Sequence, residues 1–234
     1  EARNRSAQVD DKSLAELQNH FDPIKDAIGG MTFYNRIAFK QNQQNGPGIK
    51  MIDAREVVAI LSMFDIDKYK STHPKQAYSS KKVMLDKYLD DPEHFEKLSN
   101  IAIDIFDLYD YIETDFPYAY NETGGKYGNF NFAANDNDKI IKNAKFSENG
   151  MKYAVPDGIV YPIVAAFRAL VVENKDTGKF EWTKDPIEFY QNNRCILSEK
   201  AMGVVKSLRG NPNAAGKESS LWDILYMTVV LESK

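Results

Sequence analysis

A long stripe of apolar residues in the middle of the chain decides much of its fold. It follows Asp91 and Pro92 and consists of Phe95, Leu98, Ile101, Ile105, Leu108 and Ile112. Intervals of three and four residues place these side chains on one face of an α-helix, and proline is common at a helix start. The pattern predicts a long helix up to Pro117 that forms the spine of the domain.

Further helices are predicted on both sides of this spine. Each begins at a capping signal or a proline and has apolar residues at helical spacing, and the first is interrupted at Pro23. They cover residues 13–28, 53–68, 79–89, 156–172, 185–210 and 220–231. Together with the spine and possible short helices, the patterns predict roughly six to eight helices.

Two stretches have the two-residue alternation of a strand rather than the period of a helix. Residues 31–40 alternate, and a polar turn at 41–48 separates them from 49–52. The segment 49–52 suits either a short partner strand or the lead-in to the next helix, and we favour the strand, which predicts a small β-hairpin. The Asp-Thr-Gly sequence at 176–178 precedes Phe180 and Trp182 and predicts a second hairpin. The expected fold class is therefore mainly α, a multi-helix domain with one or two small β-hairpins.

The order of these elements predicts three regions. Residues 1–117 form a helical region with a small hairpin, 118–150 a long polar loop, and 151–234 a C-terminal helical region packed on the first. A polar segment of that length inside a compact domain is usually functional. We expect one compact unit and, since the sequence begins at Glu1 without a methionine, a fragment of a longer protein.

Charge and composition exclude several classes of protein. Thirty Lys and Arg against 34 Asp and Glu give a net charge of −4, so the whole chain is not a non-specific nucleic-acid binder. No apolar run reaches the roughly 18 residues of a transmembrane helix, and no membrane contact is expected. A single cysteine, Cys195, excludes an internal disulfide and favours a cytoplasmic location.

The sequence contains no recognised catalytic motif, and we expect no catalytic site, metal or cofactor in this chain. His20, His73 and His94 lack the spacing of metal ligands. Cys195 lies beside Arg194 but has no base near it in the sequence, which favours a small apolar residue at a helix contact.

Two alternatives to a non-catalytic protein stay open. Asp104, Asp107 and Asp110 suit a metal-dependent nuclease or another phosphoryl-transfer enzyme, although the solvated face of an amphipathic helix explains them too. The apolar helices at 159–172 and 221–231 suit a structural oligomerisation region, or burial within one protomer. The oligomeric state is not predicted.

Basic, amide and tyrosine side chains are the candidates for contact with nucleic acid or a partner protein. Tyrosines gather between 109 and 127, where aromatic rings beside Gly and Asn suit an interface or base stacking. The predicted contact residues are Arg3, Asn4, Arg5, Gln8, Lys81, Lys82, Tyr118, Tyr120 and Tyr127. Another basic cluster consists of Lys200, Lys206, Arg209 and Lys217, and each cluster also fits an ordinary mixed-charge surface.

The first half of the chain resembles the abortive infection phage resistance family, known as AIPR. Asn4, Ser6, Gln8 and Val9 match in type a signature of the form N-x-[ST]-x-x-V that precedes a helix. The sequence Leu-Ala-Glu-Leu-Gln at 14–18, followed by Phe-Asp at 21–22, continues the match. Further matching segments are 34–37, 49–61, 64–65 and 78–82.

This resemblance implies a bacterial phage-defence protein, of a kind often encoded beside restriction-modification systems. It also implies that the family's N-terminal half, with any active site built there, is not in this chain. The hypothesis that follows is a helical C-terminal module of a phage-defence protein. It recognises nucleic acid or a partner, such as a phage or defence protein, without a catalytic site of its own.

Overall fold

The computed structural model describes residues 19–30, 34, 37–39, 52–70, 74–130 and 155–234. These residues form mainly α-helices with two small two-stranded sheets, which confirms the predicted fold class. The strands are β1 (Ile37–Ala38), β2 (Ile52–Asp53), β3 (Val171–Glu173) and β4 (Phe180–Trp182). The α-helices are α1 (Asp22–Ile28), α2 (Ala54–Ser62), α3 (Gln76–Ser79), α4 (Lys81–Leu89), α5 (Ala102–Glu122), α6 (Asp157–Ala166), α7 (Pro186–Ser207), α8 (Pro212–Ala215) and α9 (Ser219–Glu232). Short 3-10 helices cover Pro92–Leu98, Tyr127–Phe130 and Phe167–Leu170.

The predicted spine helix consists of two elements. A 3-10 helix ends at Leu98, and α5 then begins at Ala102 and continues beyond Pro117 to Glu122. Proline removes one backbone hydrogen bond from a helix, but Ala119 and Tyr120 after it are buried, so packing holds the last turn in place. The prediction that a loop begins at residue 118 was therefore wrong.

The predicted first hairpin was also wrong, because β1 and β2 pair in parallel. Ile37 lies opposite Ile52, and Ala38 lies opposite Asp53. Parallel strands cannot be joined by a tight turn and need a connection of about a dozen residues, which residues 39–51 provide. The rest of the strand predicted at 31–40 lies largely outside the described residues.

The second hairpin is confirmed, since β3 and β4 pair antiparallel with Val172 opposite Glu181. Gly178 in its turn has φ +68°, a conformation that glycine adopts without steric cost. The helix predicted up to residue 172 was wrong at its end, because α6 stops at Ala166 and β3 begins at Val171. A continuous apolar run fits a buried helix or a buried strand equally well.

Other helix ends show where local signals suffice. The Asp53 carboxylate accepts from the Arg55 backbone N–H at 2.8 Å, and Asp185 caps α7 by accepting from the Glu188 N–H at 2.7 Å. Pro23 lies in the first turn of α1, which begins at Asp22, while positions 13–18 of the helix predicted over 13–28 lie outside the described residues. The short helix α3 lies mostly in the segment between the helices predicted at 53–68 and 79–89, for which the sequence predicts no regular element.

The core surrounds α6, in which every residue from Gly158 to Ala166 is buried. This helix packs against α5, α7, α8 and α9. A Cβ at Gly158 would overlap the Pro212 carbonyl oxygen, so the backbones of α6 and α8 are in direct contact. One hydrophobic cluster joins described residues from Phe21 to Val229.

None of the helices within the described ranges is both long and apolar enough to cross a membrane.

Candidate binding cleft

A surface cleft of about 500 Å³ lies where the end of α5 meets α7 and α9. Its volume is in the range of ligand and peptide sites. The end of α5 and the following turn contribute Tyr120, Thr123, Gly124 and Gly125, and α9 contributes Ile224. The floor and rim come from α7, with Glu199, Lys200, Gly203, Val204 and Lys206.

The first wall is built around the ring of Tyr120. This residue is only 2% exposed, because Gly125 lies directly against its ring, where any Cβ would overlap it. The Lys206 ammonium lies 5.3 Å from the centre of the same ring in a cation–π contact. Thr123 Oγ1 donates to the Tyr120 carbonyl at 2.7 Å, and Gly124 turns the chain with φ +82°. Tyr120 therefore shapes the wall and positions Lys206.

The floor of the cleft is open at Gly203. This glycine lies inside α7, where glycine costs about 1 kcal/mol relative to alanine. A Cβ added to it would have none of the described atoms within 4 Å. Packing among the described residues therefore does not account for a glycine here.

The second wall belongs to α9, which is apolar on two faces. Its inner face includes Leu221, Leu225 and Val229, all fully buried. Its outer face carries Ile224, Met227 and Leu231, which are 39%, 49% and 57% exposed. Intervals of three and four residues align these three side chains along one stripe, and the stripe begins at the cleft.

The charge at the cleft is mainly positive, in contrast to the chain as a whole. Lys200 and Lys206 are both exposed at its rim, and Glu199, directly before Lys200 in the sequence, is the acidic residue among those that line it. The cluster that the sequence predicts at 200–217 is thus partly assembled here. Arg209 and Lys217 of that cluster are exposed but do not line the cleft.

The other tyrosines predicted as contact residues lie in different surroundings. Tyr127 is 1% exposed and packs edge-on against Phe116, with ring centres 5.8 Å apart. Tyr118 lies on α5 and is partly buried. Tyr120 is thus the predicted tyrosine that the fold brings to the cleft.

Of the basic and amide residues that the sequence predicts as contacts, two lie among the residues that the structure describes. Lys81 pairs with Glu56 at 3.4 Å and lies 5.7 Å from the centre of the Tyr161 ring, so its charge is used inside the fold. Lys82 is exposed on α4. The predictions for Arg3, Asn4, Arg5 and Gln8, like that for His73, lie outside the described residues.

The aspartates of α5 that suit metal-dependent chemistry, Asp104, Asp107 and Asp110, differ in their surroundings, and Asp107 is exposed. Asp104 Oδ2 accepts a hydrogen bond from Trp182 Nε1 at 3.1 Å, and burial raises the pKa of Asp104. Burial and the nearby Asp110 raise the pKa of Asp107 as well. Across the described ranges, no three or more His, Cys, Asp and Glu side chains are grouped to hold a metal ion.

Cys195 and His94 have structural partners. The pKa of the Cys195 thiol is raised, mainly by burial and also by the hydrogen bond of the thiol to Glu122. A nucleophilic cysteine needs a lowered pKa instead. His94 Nε2 lies 3.0 Å from the fully buried carboxylate of Asp65. That pair joins the 3-10 helix at 92–98 to the segment after α2.

The sequence hypothesis missed the floor and the second wall of the cleft. Two signals in the sequence point to them. One is the glycine at 203 inside an otherwise uninterrupted helical pattern, and the other is the presence of apolar residues on more than one face of 220–231. Neither signal shows by itself that these two helices meet residues 120–125.

A protein-family model described as "AIPR protein" matches residues 1–209. The match covers most of the chain and extends well past its first half, through the whole of α7. It ends before α9, so Ile224 lies beyond the matched residues. Neither the curated proteins nor the solved structures gave a significant match.

Proposed function

The chain belongs to the AIPR family, the abortive infection phage resistance proteins, and on that premise we propose that it is a recognition module that binds a partner protein at the cleft. The family itself supports a role in phage defence. The observation that carries the finer proposal is the cleft with an apolar second wall at Ile224 and an open floor at Gly203.

A protein partner fits this cleft better than a nucleic acid. Single-stranded nucleic acids stack their bases on accessible aromatic rings, whereas the Tyr120 ring is only 2% exposed. Exposed apolar side chains next to a cleft are typical of protein interfaces, and Ile224 and Met227 provide them.

Binding rather than catalysis is the proposed activity, in the cytoplasm of a bacterium. The free cysteine Cys195 suits a reducing compartment. The thiol of Cys195 has a raised pKa, and Asp104 is hydrogen-bonded to Trp182. These two observations favour structural roles for Cys195 and Asp104, which would otherwise be the first candidates for a nucleophile and a metal ligand.

Phage challenge of bacteria that carry the gene tests the proposal. The variant Ile224→Asp places a charge on the second wall, and Val83→Asp on α4 is its matched control because both side chains are 39% exposed. We expect Ile224→Asp to reduce protection by about tenfold or more, the usual loss at a central interface residue. Val83→Asp should protect like the parent protein.

Both variants must first be shown to fold, by their circular dichroism spectra and melting temperatures. If Ile224→Asp folds normally and still protects against phage at the parent level, the cleft is not the recognition site.

A further inference from the structure

We infer that the partner segment that occupies the cleft is an amphipathic α-helix with acidic residues along one edge. This inference rests on the proposed function and names the chemistry of the partner. Three independent features support it: the open floor of the cleft, the apolar stripe on α9 that begins at the cleft, and the position of the cleft's lysines.

The open floor admits a closely packed helix. Packed helices have axes 8 to 10 Å apart, and the smaller the side chains at the contact, the closer they approach. Gly203 offers no side chain at this contact, and none of the described atoms fills the space above it. A helix that crosses α7 at Gly203 can therefore bring its own backbone or a large apolar side chain onto the floor.

The exposed apolar stripe on α9, which begins at the cleft with Ile224, has the length of two helical turns. Ile224 and Leu231 are seven residues apart on α9, which corresponds to about 10 Å along the helix axis. A partner helix with apolar residues at positions i, i+3 or i+4, and i+7 presents anchors over the same length. A helix also satisfies its own backbone hydrogen bonds, so it can lie against Ile224 and Met227 without leaving polar groups buried.

The lysines specify the charge of the partner. Lys206 is held above the Tyr120 ring, and Lys200 lies six residues earlier on the same helix. Carboxylates along one edge of the partner would face both ammonium groups, and opposite charge at a rim selects partner and orientation. Glu199 disfavours acidic residues on the rest of that partner surface.

Synthetic peptides test the inference with the chain of 234 residues. The first probe is a peptide of about five helical turns, with leucines at helical spacing and glutamates on one edge. The second has lysine in place of every glutamate, and the third keeps the composition of the first but has two central prolines. We expect fluorescence anisotropy to show that the first peptide binds about tenfold more tightly than either of the others, as for a helix-in-groove site with complementary charge.

Variants of the chain locate the binding and verify its charge. The double variant Lys200→Glu with Lys206→Glu should reverse the preference, so that the lysine peptide binds better than the glutamate peptide. Gly203→Ile should weaken binding of the glutamate peptide by about tenfold. Asn192→Ile is the control, because Asn192 is exposed on the same helix about 16 Å from Gly203 along the axis.

Several results would overturn the inference. These are equal affinity for the glutamate and lysine peptides, no binding of the glutamate peptide, displacement of that peptide from the cleft by a single-stranded oligonucleotide, or a dimer in light scattering that Ile224→Asp dissociates. If the peptides fail while Ile224→Asp still abolishes phage protection, the proposed function stands and only the acidic helix is wrong. If Ile224→Asp retains protection, the proposed function fails as well.

Discussion

Two glycines inside helices have opposite surroundings, and this difference leads to opposite predictions. Gly203→Ala should raise the free energy of unfolding by about 0.5 to 1 kcal/mol, because alanine loses less conformational freedom in a helix and its Cβ would meet none of the described atoms. Gly158→Ala should destabilise the protein by at least about 1 to 3 kcal/mol, because its Cβ would overlap the Pro212 carbonyl oxygen.

Urea unfolding of the two alanine variants measures both effects. A Gly203→Ala variant that is less stable than the parent protein would show that the floor of the cleft is filled in the folded chain.

Asp104 predicts a pH dependence of stability. Burial raises the pKa of this carboxyl above its usual value, so folding disfavours the ionised form. As the pH rises from the usual carboxyl pKa through the raised one, the side chain ionises and the folded state loses stability. Asp104→Asn removes the charge and keeps an oxygen that can accept from Trp182 Nε1. We therefore expect the variant to be more stable than the parent at pH 7.

The gain of Asp104→Asn should diminish as the pH falls below the usual carboxyl pKa, where the parent side chain is protonated in both states. Thermal unfolding at a series of pH values measures this gain. A variant that is less stable at pH 7 would mean that the charge of Asp104 serves the fold or a ligand.

Helices α5 and α7 are joined by the side chain of Arg194. Its Nη1 lies 2.7 Å from Asp115 Oδ1, and its Nη2 donates to Glu122 Oε1. Arg194→Leu should destabilise the protein by about 1 to 3 kcal/mol, because it leaves the largely buried Asp115 carboxylate without its cation. Chemical denaturation at pH 7 measures the loss.

The destabilisation by Arg194→Leu should become smaller in acid. Burial raises the pKa of Asp115, and Arg194 is the first of the groups that lower it. Without Arg194 the pKa of Asp115 should therefore be higher still. Once Asp115 is protonated, no unpaired charge is buried and the loss of stability should disappear. Asn192→Leu, at an exposed position two residues earlier, should change stability little. A loss that is independent of pH would assign the role of Arg194 to packing alone.

Among the elements, those with local end signals are the ones that sequence could predict. The caps at Asp53 and Asp185 form the expected hydrogen bonds, and α7 ends near Gly210, which has φ +74°. The parallel pairing of β1 with β2 was beyond prediction, because the direction of pairing depends on the path of residues 39–51. The sequence did not predict the end of α6, because a continuous apolar run lacks the periodicity that distinguishes a helix from a strand.

The cleft itself depends on contacts at long range. Tyr120 could be selected from the sequence as one of several clustered tyrosines, but the burial that separates it from Tyr118 is a property of the fold. The cleft joins residues 120–125, 199–206 and 224, and no local pattern specifies that these segments meet. Residue types were predictable here, and their assembly was not.

At the scale of the whole molecule, one hydrophobic cluster predicts one unfolding transition. The cluster includes residues on both sides of the segment predicted as a polar loop. Trp182 packs edge-on against Phe64 at 5.5 Å, and Trp222 is buried in α9 with its Nε1 donating to the Gly216 carbonyl. We expect tryptophan fluorescence and far-UV circular dichroism to follow the same transition in urea.

The variant Trp182→Phe leaves Trp222 as the fluorescent reporter of α9. Its transition should again coincide with that of the helical signal. Two separate transitions would instead indicate that residues 1–117 and 151–234 are independent folding units.

The central position of α6 has a consequence for synthesis on the ribosome. Tyr161 in this buried helix donates to Glu56 Oε1 of α2, which precedes it by 105 residues. At a translation rate of about 5 to 20 residues per second, α2 is made roughly 5 to 20 s before α6. Until α6 has been made, the apolar residues of α5 that pack against it in the finished fold lack their partner, and transiently exposed apolar surface of this kind makes a nascent chain prone to aggregation.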